Sequence, residues 1–186
     1  MFEEYRDEII ERIGEKRFLH SLRVADCAKE LARLHKCDEN KAYIAGYFHD
    51  CGKIRDLEKL KEEFVRAGFE LKDDFIYAPQ IIHSYYGAYL AKRRYNIDDK
   101  DIINAITFHT TGRANMSELE KIIFLADYIE PLRNFAGVDR ARELAKESLN
   151  EAMLFALDNT LLFLIKNGEY IAIDTVRARN YYKERR

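Results

Sequence analysis

Apolar residues recur at intervals of three and four positions almost throughout this chain, a pattern that predicts helices rather than strands. A first helix is predicted from Glu3 to Ile13, and a second from about Lys16 to Lys36. Later helices begin at capping residues or at a proline, and they cover about 39–50, 56–67, 79–95, 99–109, 118–130, 139–166 and a short segment that Asp174 or Thr175 caps. The pattern therefore predicts an all-α fold, in which 139–166 is one long helix, straight or kinked.

The segments between these helices are short. The stretches 68–79, 112–117 and 134–137 are the most loop-like, and none is long enough to separate domains. Residues 169–173 are expected to form an extended connector before the last helix. A length of 186 residues without a Pro-, Ser- or Gly-rich linker predicts a single domain.

Composition narrows the class of function. The formal net charge is −2 and both signs are interspersed, which argues against a broad surface for the nucleic-acid backbone but leaves room for a small phosphate pocket. Three cysteines without a CxxC pair argue against a disulfide framework and a thiolate zinc site, and they fit a reducing compartment. The first residues do not resemble a signal peptide, and the apolar run 161–165 is too short for a membrane span. A cytoplasmic protein without a membrane partner is predicted.

Four of the five histidines are predicted to face the interior, each on the apolar side of a different helix: His20, His49, His83 and His109. The fifth, His35, lies near a helix end and is expected at the surface. A lone inward histidine is ordinarily a hydrogen-bonded core residue. Four of them, with two ring nitrogens each, need many partners, and a shared metal ion or phosphate group would satisfy several at once.

Two aspartates extend this set. Asp50 follows His49 at a helix end, where successive side chains can converge on one point. Asp127 lies between Ile123 and Phe124 on the wheel of an apolar helix, where a carboxylate is costly unless it binds a metal or, alternatively, pairs with an arginine. Imidazole and carboxylate ligands without thiolate suit Fe, Mn, Zn, Co or Ni. Such an ion lowers the pKa of its bound water, so that hydroxide becomes the nucleophile.

The order His, His-Asp, His, His, Asp resembles the HD-domain superfamily of metal-dependent phosphohydrolases. The matching segments are HSLRV at 20–24, AGYFHDCGK at 45–53, HS at 83–84, HTTGR at 109–113, MS at 116–117, ADYIEP at 126–131, Arg133, and 175–180. HTTGR and ADYIEP make the resemblance specific, and it is closest to the YqeK family of symmetrical diadenosine tetraphosphate hydrolases. Cys51 after the HD pair is a minor variation that should not affect the metal.

The resemblance implies one HD-type helical bundle over residues 1–186, with a metal core over about 17–130 and C-terminal helices, 139–186, that complete the nucleotide pocket. It implies a bound divalent transition metal, with iron as the first choice and manganese, cobalt, nickel or zinc as alternatives. The implied ligands of this metal are His20, His49, Asp50 and Asp127. His83 and His109 would hold a second metal or contact substrate phosphates, and the sequence does not choose between these roles.

The implied reaction is hydrolysis of diadenosine tetraphosphate to two ADP by a metal-activated hydroxide. Fixed cations stabilise the charge that develops on phosphate, and Lys53, Arg113 and Arg133 are the candidates. Helix-end capping by Lys53 and solvated surface charge for the arginines are the alternatives. His83 or His109 would protonate or orient a departing phosphate, so the expected catalytic residues are Lys53, His83 and His109.

The connector is expected to line the nucleoside pocket, by resemblance, and a packing strap across the bundle is the alternative. The full set of expected substrate contacts is Arg17, His20, Lys53, His83, His109, Thr110, Arg113, Asp127, Arg133, Tyr170, Ile171, Ala172, Ile173, Asp174 and Thr175. Alternative functions are another HD-type nucleotide phosphohydrolase, a non-catalytic module that senses a nucleotide or metal, or a plain bundle with buried histidines. The expected partner is a dinucleoside polyphosphate or another nucleotide, and a homodimer is left open.

Overall fold

The computed structural model describes residues 2–185, which form α-helices joined by short turns and contain no strand. The helices are α1 (Glu3–Ile13), α2 (Glu15–Leu34), α3 (Glu39–Phe48), α4 (Leu57–Arg66), α5 (Asp73–Tyr77), α6 (Ile82–Arg93), α7 (Lys100–Phe108), α8 (Glu118–Ile129), α9 (Val138–Glu147), α10 (Leu149–Lys166) and α11 (Ile173–Glu184). One 3-10 turn, Pro79–Ile81, leads into α6. The predicted all-α fold is confirmed.

Helix starts agree well with the predicted caps. The side chains of Asp38 and Asp99 each accept hydrogen bonds from the backbone N–H groups two and three residues later, at the starts of α3 and α7. Ser117 and Glu120 form the predicted capping box of α8. These short side chains satisfy amide groups that the first helical turn leaves without a partner.

The C-terminal third differs from the prediction in two places. The predicted helix 139–166 is two helices, because Ser148 is extended, with φ −154° and ψ 115°, and its hydroxyl caps α10. The start of α11 was also predicted wrongly. Among the described residues no side chain caps this helix, and Asp174 and Thr175 lie inside its first turn, which begins at Ile173.

Two further differences concern segments expected to be loop or surface. The segment 68–79 contains the short helix α5, which packs beside the 3-10 turn before α6. His35 is half-buried rather than exposed, and its Nε2 donates to the carbonyl of Ala145 at 2.7 Å, which ties the end of α2 to α9. Nowhere in 2–185 is a helix both long enough and apolar enough to cross a membrane.

α2 runs through the middle of the bundle and packs against α1, α3, α8 and α9. α8 is the most enclosed helix, since every residue from 119 to 126 is buried. α3 and α7 also pack on each other and on α8, so the ends of these three helices lie close together in the interior. This convergence brings the helix ends that carry the histidines and aspartates to one place.

Two glycines permit the close approach of these elements. A Cβ atom at Gly46 in α3 would lie 2.6 Å from the Cα of Ala25 in α2. A Cβ atom at Gly52 would lie 2.4 Å from the backbone N of Gly87 and from the carbonyl of His83. Both positions therefore exclude any side chain, and the second one sets the distance between the His49-Asp50 turn and α6.

Replacing Gly46 with alanine should push α3 away from α2. We expect Gly46→Ala to lower the free energy of unfolding by about 1–3 kcal/mol, the usual cost of overpacking a core. Urea unfolding followed by circular dichroism measures the change. Asn40→Ala, at an exposed position of the same helix, is the control and should change stability by less than about 0.5 kcal/mol. Equal stability of the two variants would contradict this account of the α2–α3 contact.

Candidate metal centre

Six side chains from five parts of the chain meet in the interior: His20 of α2, His49 and Asp50 after α3, His83 of α6, His109 after α7, and Asp127 of α8. Their nitrogen and oxygen atoms form three overlapping groups, and within each group the atoms lie within 4.8 Å of one another: His20–His49–Asp50, His49–His109–Asp127 and Asp50–His83–His109. The residues expected to bind metal therefore lie together.

His49 and His109 are held in the same way. Each is the first residue after a helix, still in right-handed helical conformation, and its Nδ1 lies 2.7 Å from the carbonyl oxygen three residues earlier. Nδ1 of His83, in the first turn of α6, lies 2.5 Å from the carbonyl of Gln80. A carbonyl can only accept, so each Nδ1 carries the hydrogen and each Nε2 presents a lone pair to the interior.

His20 has the same orientation with a different anchor. Its Nδ1 lies 3.2 Å from Oε1 of Glu130, and its Nε2 lies 3.0 Å from Oδ1 of Asp127. The imidazole is 13% exposed, so it is more accessible than the other three. All four histidines thus turn Nε2 toward the two aspartates.

These Nε2 atoms fit a divalent cation. His49 Nε2 is buried, and the part of the chain that the structure describes offers it no hydrogen-bond partner. Nε2 of His83 lies 3.1 Å from Nε2 of His109, so two lone pairs face each other across that distance. A buried acceptor without a donor costs about 1–3 kcal/mol, and opposed lone pairs add repulsion. A cation between these atoms removes both penalties.

Asp50 is the most enclosed anion of the centre, with its side chain only 2% exposed. Its carboxylate lies 2.8 Å from Nη1 of Arg17, 3.2 Å from Nε2 of His83 and 3.6 Å from Nζ of Lys53. Burial alone would raise the pKa of Asp50, but neighbouring positive charge, including the ammonium group of Lys53, holds that pKa well below its ordinary value. Asp50 therefore remains a carboxylate.

Asp127 lies at the edge of the centre, where its side chain is 23% exposed. Arg133 contacts it twice, with Nη2 at 2.5 Å from Oδ1 and Nε at 2.8 Å from the backbone carbonyl. Burial opposes ionisation, yet the positive charge of Arg133, which contacts this carboxylate, helps to hold the pKa of Asp127 below its ordinary value. The arginine pair considered as an alternative thus exists alongside the histidine cluster.

Two of the imidazoles, those of His49 and His109, keep the form that binds metals. Burial lowers the pKa of His49. Burial also lowers the pKa of His109 to about 3, and the neighbouring imidazoles of His49 and His83 contribute to this shift. A neutral imidazole and an ionised carboxylate are the states that coordinate a cation.

A cleft of about 230 Å³ opens beside the centre. Its lining combines ligand candidates, one cation and aromatic rings: His109, Thr110, Phe124, Asp127, Tyr128, Arg133, Phe135 and Thr160. A larger cavity of about 320 Å³ lies between α1, α4 and the end of α6, but none of the four clustered histidines lines it. The chemistry of the lining, rather than the volume, identifies the smaller cleft as the approach to the centre.

Some of the expected substrate-binding residues lie apart from the cluster. Arg113 forms two hydrogen bonds, of 2.8 and 2.9 Å, to the buried carboxylate of Glu120. In the connector, the Tyr170 hydroxyl donates to Asp74 at 3.0 Å. Ala172 packs against Ala78 and against Ile81, and Ile81 lies two residues before His83. The contacts seen for the connector are those of a packing strap, and its contact with a nucleoside stays a prediction.

Thr110 and three unassigned residues complete the surroundings. Thr110 Oγ1 lies 3.4 Å from Nε2 of His83. Glu130 lies in the ADYIEP segment and has no role in the predicted site, although an acidic residue at the end of an apolar helix is a usable signal. Arg23 donates to Glu130 at 2.9 Å, and Arg142 of α9 contacts backbone carbonyls of the turn after α8. No sequence pattern distinguishes these two arginines from surface charges.

Comparison with known proteins agrees with this geometry. The family model "HD domain" matches residues 17–132. The "Bis(5'-nucleosyl)-tetraphosphatase, symmetrical" of Halalkalibacterium halodurans is 43% identical over 168 residues, which cover 90% of this chain and 89% of that protein. The protein of the same name from Bacillus subtilis is 40% identical over 173 residues, which cover 92% of this chain and 91% of that protein.

A solved structure from Clostridium acetobutylicum also matches the whole fold. It is described as a "predicted HD superfamily hydrolase involved in NAD metabolism", and it is 47% identical. The match has a TM-score of 0.95 and covers 100% of this chain and 98% of the other. The chain therefore belongs to the HD domain family, in one group with these full-length relatives.

Proposed function

We propose that this protein hydrolyses diadenosine tetraphosphate symmetrically, so that both products are ADP. Water attacks a β-phosphorus, a new P–O bond forms, and the bond to the bridging oxygen breaks with ADP as the leaving group. The relatives named as symmetrical tetraphosphatases support the substrate. The observation that carries the reaction type is the buried cluster of four imidazoles and two carboxylates.

The proposed cofactor is a divalent transition metal, with iron first and manganese, cobalt, nickel or zinc as alternatives. His20, His49, Asp50 and Asp127 would hold it, and the neutral imidazole of His49 and the two carboxylate groups support this choice. When bound, the ion supplies an acidified water and positive charge beside the attacked phosphate. His83 and His109 keep both proposed roles, as ligands of a second ion or as phosphate contacts, because they share a group with Asp50.

Three cations are placed to receive the phosphate chain. Arg17, Lys53 and Arg133 are each partly exposed, with side chains 40%, 33% and 41% accessible, and each already contacts a carboxylate of the cluster. Guanidinium groups bind phosphate oxygens in a bidentate fashion, and a lysine adds a point charge. Arg113 also stays a proposed contact, but it would first have to leave Glu120.

The histidines not assigned to the first metal would orient the phosphate. The Nδ1–H groups of His83 and His109 are held by backbone carbonyls, so Nε2 is the atom that each ring offers to the reaction. Nε2 donates to phosphate only when the ring is protonated, so general-acid catalysis requires a proton from the substrate side. Thr110, beside His83, can donate a hydroxyl hydrogen to the same phosphate.

The nucleoside is proposed to lie against residues 170–175, with a metal core over about 17–130 and the C-terminal helices, 139–186, closing the pocket. The position of the connector beside the turn before His83 supports this division of roles. A cytoplasmic location, a homodimer and the absence of a nucleic-acid partner stay predictions.

The products of diadenosine tetraphosphate test the proposed reaction. The purified protein is incubated with this nucleotide and manganese, cobalt or ferrous iron, and the products are separated by chromatography. ADP alone is expected. AMP together with ATP would contradict symmetric cleavage. Lack of turnover on any nucleotide, with metal bound, would favour the sensing module.

Loss of one buried ligand should remove the metal. We expect His49→Gln to contain less than about a tenth of an equivalent of metal and to lose more than about 100-fold in kcat. Elemental analysis and steady-state rates measure these effects. The control His35→Gln replaces a half-buried histidine outside the cluster and should retain both metal and activity. Full metal content in His49→Gln would contradict the proposed ligand set.

Removal of the cation at the cleft should weaken transition-state stabilisation. We expect Arg133→Ala to lower kcat/KM for diadenosine tetraphosphate by about 10²–10³-fold, the usual effect of deleting one charge-stabilising donor. Arg140→Ala, at an exposed site paired with Glu143, should change it by less than about twofold. Metal content is measured in both variants, since a loss of metal in Arg133→Ala would assign the residue to the metal centre instead.

A further inference from the structure

Glu130 is a buried carboxylate directly behind one proposed metal ligand. It follows the last turn of α8, three residues after Asp127, and its side chain is 4% exposed. Oε1 lies 3.2 Å from Nδ1 of His20. Oε2 accepts hydrogen bonds from Nε of Arg23 and from the backbone N–H of Leu132, both at 2.9 Å. The three groups within hydrogen-bond distance of this carboxylate, a ring nitrogen, a guanidinium and a backbone amide, can each donate to it.

His20 differs from the other three histidines in how its ring is anchored. His49, His83 and His109 each use a carbonyl three residues earlier, which is accessible because they lie at helix ends or in a first turn. His20 lies inside α2, where backbone carbonyls already serve the helix. Its ring therefore needs an acceptor from another part of the chain. Two carboxylates flank it, Asp127 at Nε2 within the cluster and Glu130 at Nδ1 on the side away from the cluster.

We propose that Glu130 is a positioning residue that holds His20 in the form with hydrogen on Nδ1 and the lone pair on Nε2 directed at the metal site. This proposal rests on the proposed metal-binding role of His20. It assigns Glu130 no contact with substrate or metal. Its effect passes entirely through the orientation and basicity of the imidazole, as is common for histidine ligands of metals.

A carboxylate is required here because all three partners donate. A glutamine has nearly the same shape, but its NH₂ group must face His20, Arg23 or the amide of Leu132. If it faces His20, the ring must accept at Nδ1, so that a neutral ring would place its hydrogen on Nε2, where the metal should bind. If it faces Arg23 or the backbone, two donors oppose each other and the side chain is displaced.

The backbone around Glu130 is fixed independently of the metal. Arg142 of α9 donates from Nε to the carbonyl of Ile129 at 3.1 Å, and from Nη2 to those of Glu130 and Arg133 at 3.1 and 2.8 Å. One guanidinium therefore holds the turn that carries the carboxylate behind His20. The same turn carries Arg133, which contacts Asp127. Because its backbone is held in this way, Glu130 can determine the orientation of the His20 imidazole instead of moving with it.

The affinity for cobalt tests the proposal without using activity. Metal-free wild-type protein and Glu130→Gln are titrated with Co²⁺, and binding is followed by the visible absorption of the ion in its site. We expect Glu130→Gln to bind Co²⁺ about 10–100-fold more weakly, the usual effect of removing a partner of a histidine ligand. The melting temperature of each metal-free protein is measured in parallel, to separate loss of affinity from loss of fold.

Glu120→Gln is the matched control. Glu120, in α8, is also a buried carboxylate, and it also accepts from an arginine and a backbone amide. Among residues 2–185, its hydrogen-bond partners include no histidine. We expect this variant to be less stable but to bind Co²⁺ within about twofold of the wild type. An equal loss of affinity in both variants would overturn the proposal, because any buried carboxylate of α8 would then have the same effect.

Glu130→Asp keeps the test decisive if the glutamine variant does not fold. Aspartate preserves the charge beside Arg23 but is one methylene shorter, so it cannot reach Nδ1 of His20 without giving up its other partners. It should also weaken Co²⁺ binding. Wild-type affinity in a folded Glu130→Gln or Glu130→Asp protein would refute the positioning role. Weakened Co²⁺ binding without hydrolysis of diadenosine tetraphosphate by the wild type would support this role and refute the proposed function.

Discussion

The structure depends on one electrostatic constraint, which is that four buried imidazoles turn their lone pairs toward the same small volume. Each Nδ1 faces an acceptor outside the cluster, so in a neutral ring Nδ1 carries the hydrogen and Nε2 has none to donate. Two of these atoms lie 3.1 Å apart. In a low-dielectric interior such an arrangement is unfavourable unless positive charge lies between the atoms. The negative charges of the two aspartates increase the need for positive charge, so the arrangement of these side chains fits a cation.

The fold supplies much of this arrangement by placing the ends of α3 and α7 and the start of α6 around the centre, beside His20 of α2. A histidine just after a helix can bond to a carbonyl of its own last turn, and His49 and His109 both do so. The adjacent Asp50 then points to the same volume. Close helix contacts at Gly46 and Gly52 set the spacing, because a single Cβ atom at either site would meet backbone atoms. Geometry of this kind orients the ligands before any ion or substrate arrives.

Most of the fold and the inward direction of the four clustered histidines could be predicted from local features of the sequence, whereas the choice of metal ligands came from the family resemblance and stays a prediction. The helical period, the caps at Asp38, Asp99 and Ser117, and the inward stripes of the histidines each depend on neighbouring residues only. The break at Ser148 was missed because its flanking residues keep the helical period on both sides. The hydrogen-bond partners of the charged side chains could not be predicted from the sequence, for a different reason. The pairing of Arg113 with Glu120 and of Glu130 with His20 depends on how distant segments pack, and many other charges in the chain share the same local pattern.

Anomalous diffraction from crystals grown with Mn²⁺ would test the central claim most directly, because it locates the ion independently of activity. The account predicts a peak about 2.0–2.3 Å from Nε2 of His20 and His49 and from carboxylate oxygens of Asp50 and Asp127, the usual range for such ligands. A second peak between His83 and His109 would show that these two histidines bind a second metal ion. If the protein contained a full equivalent of manganese but the peak lay away from these four side chains, the proposed metal centre would be contradicted.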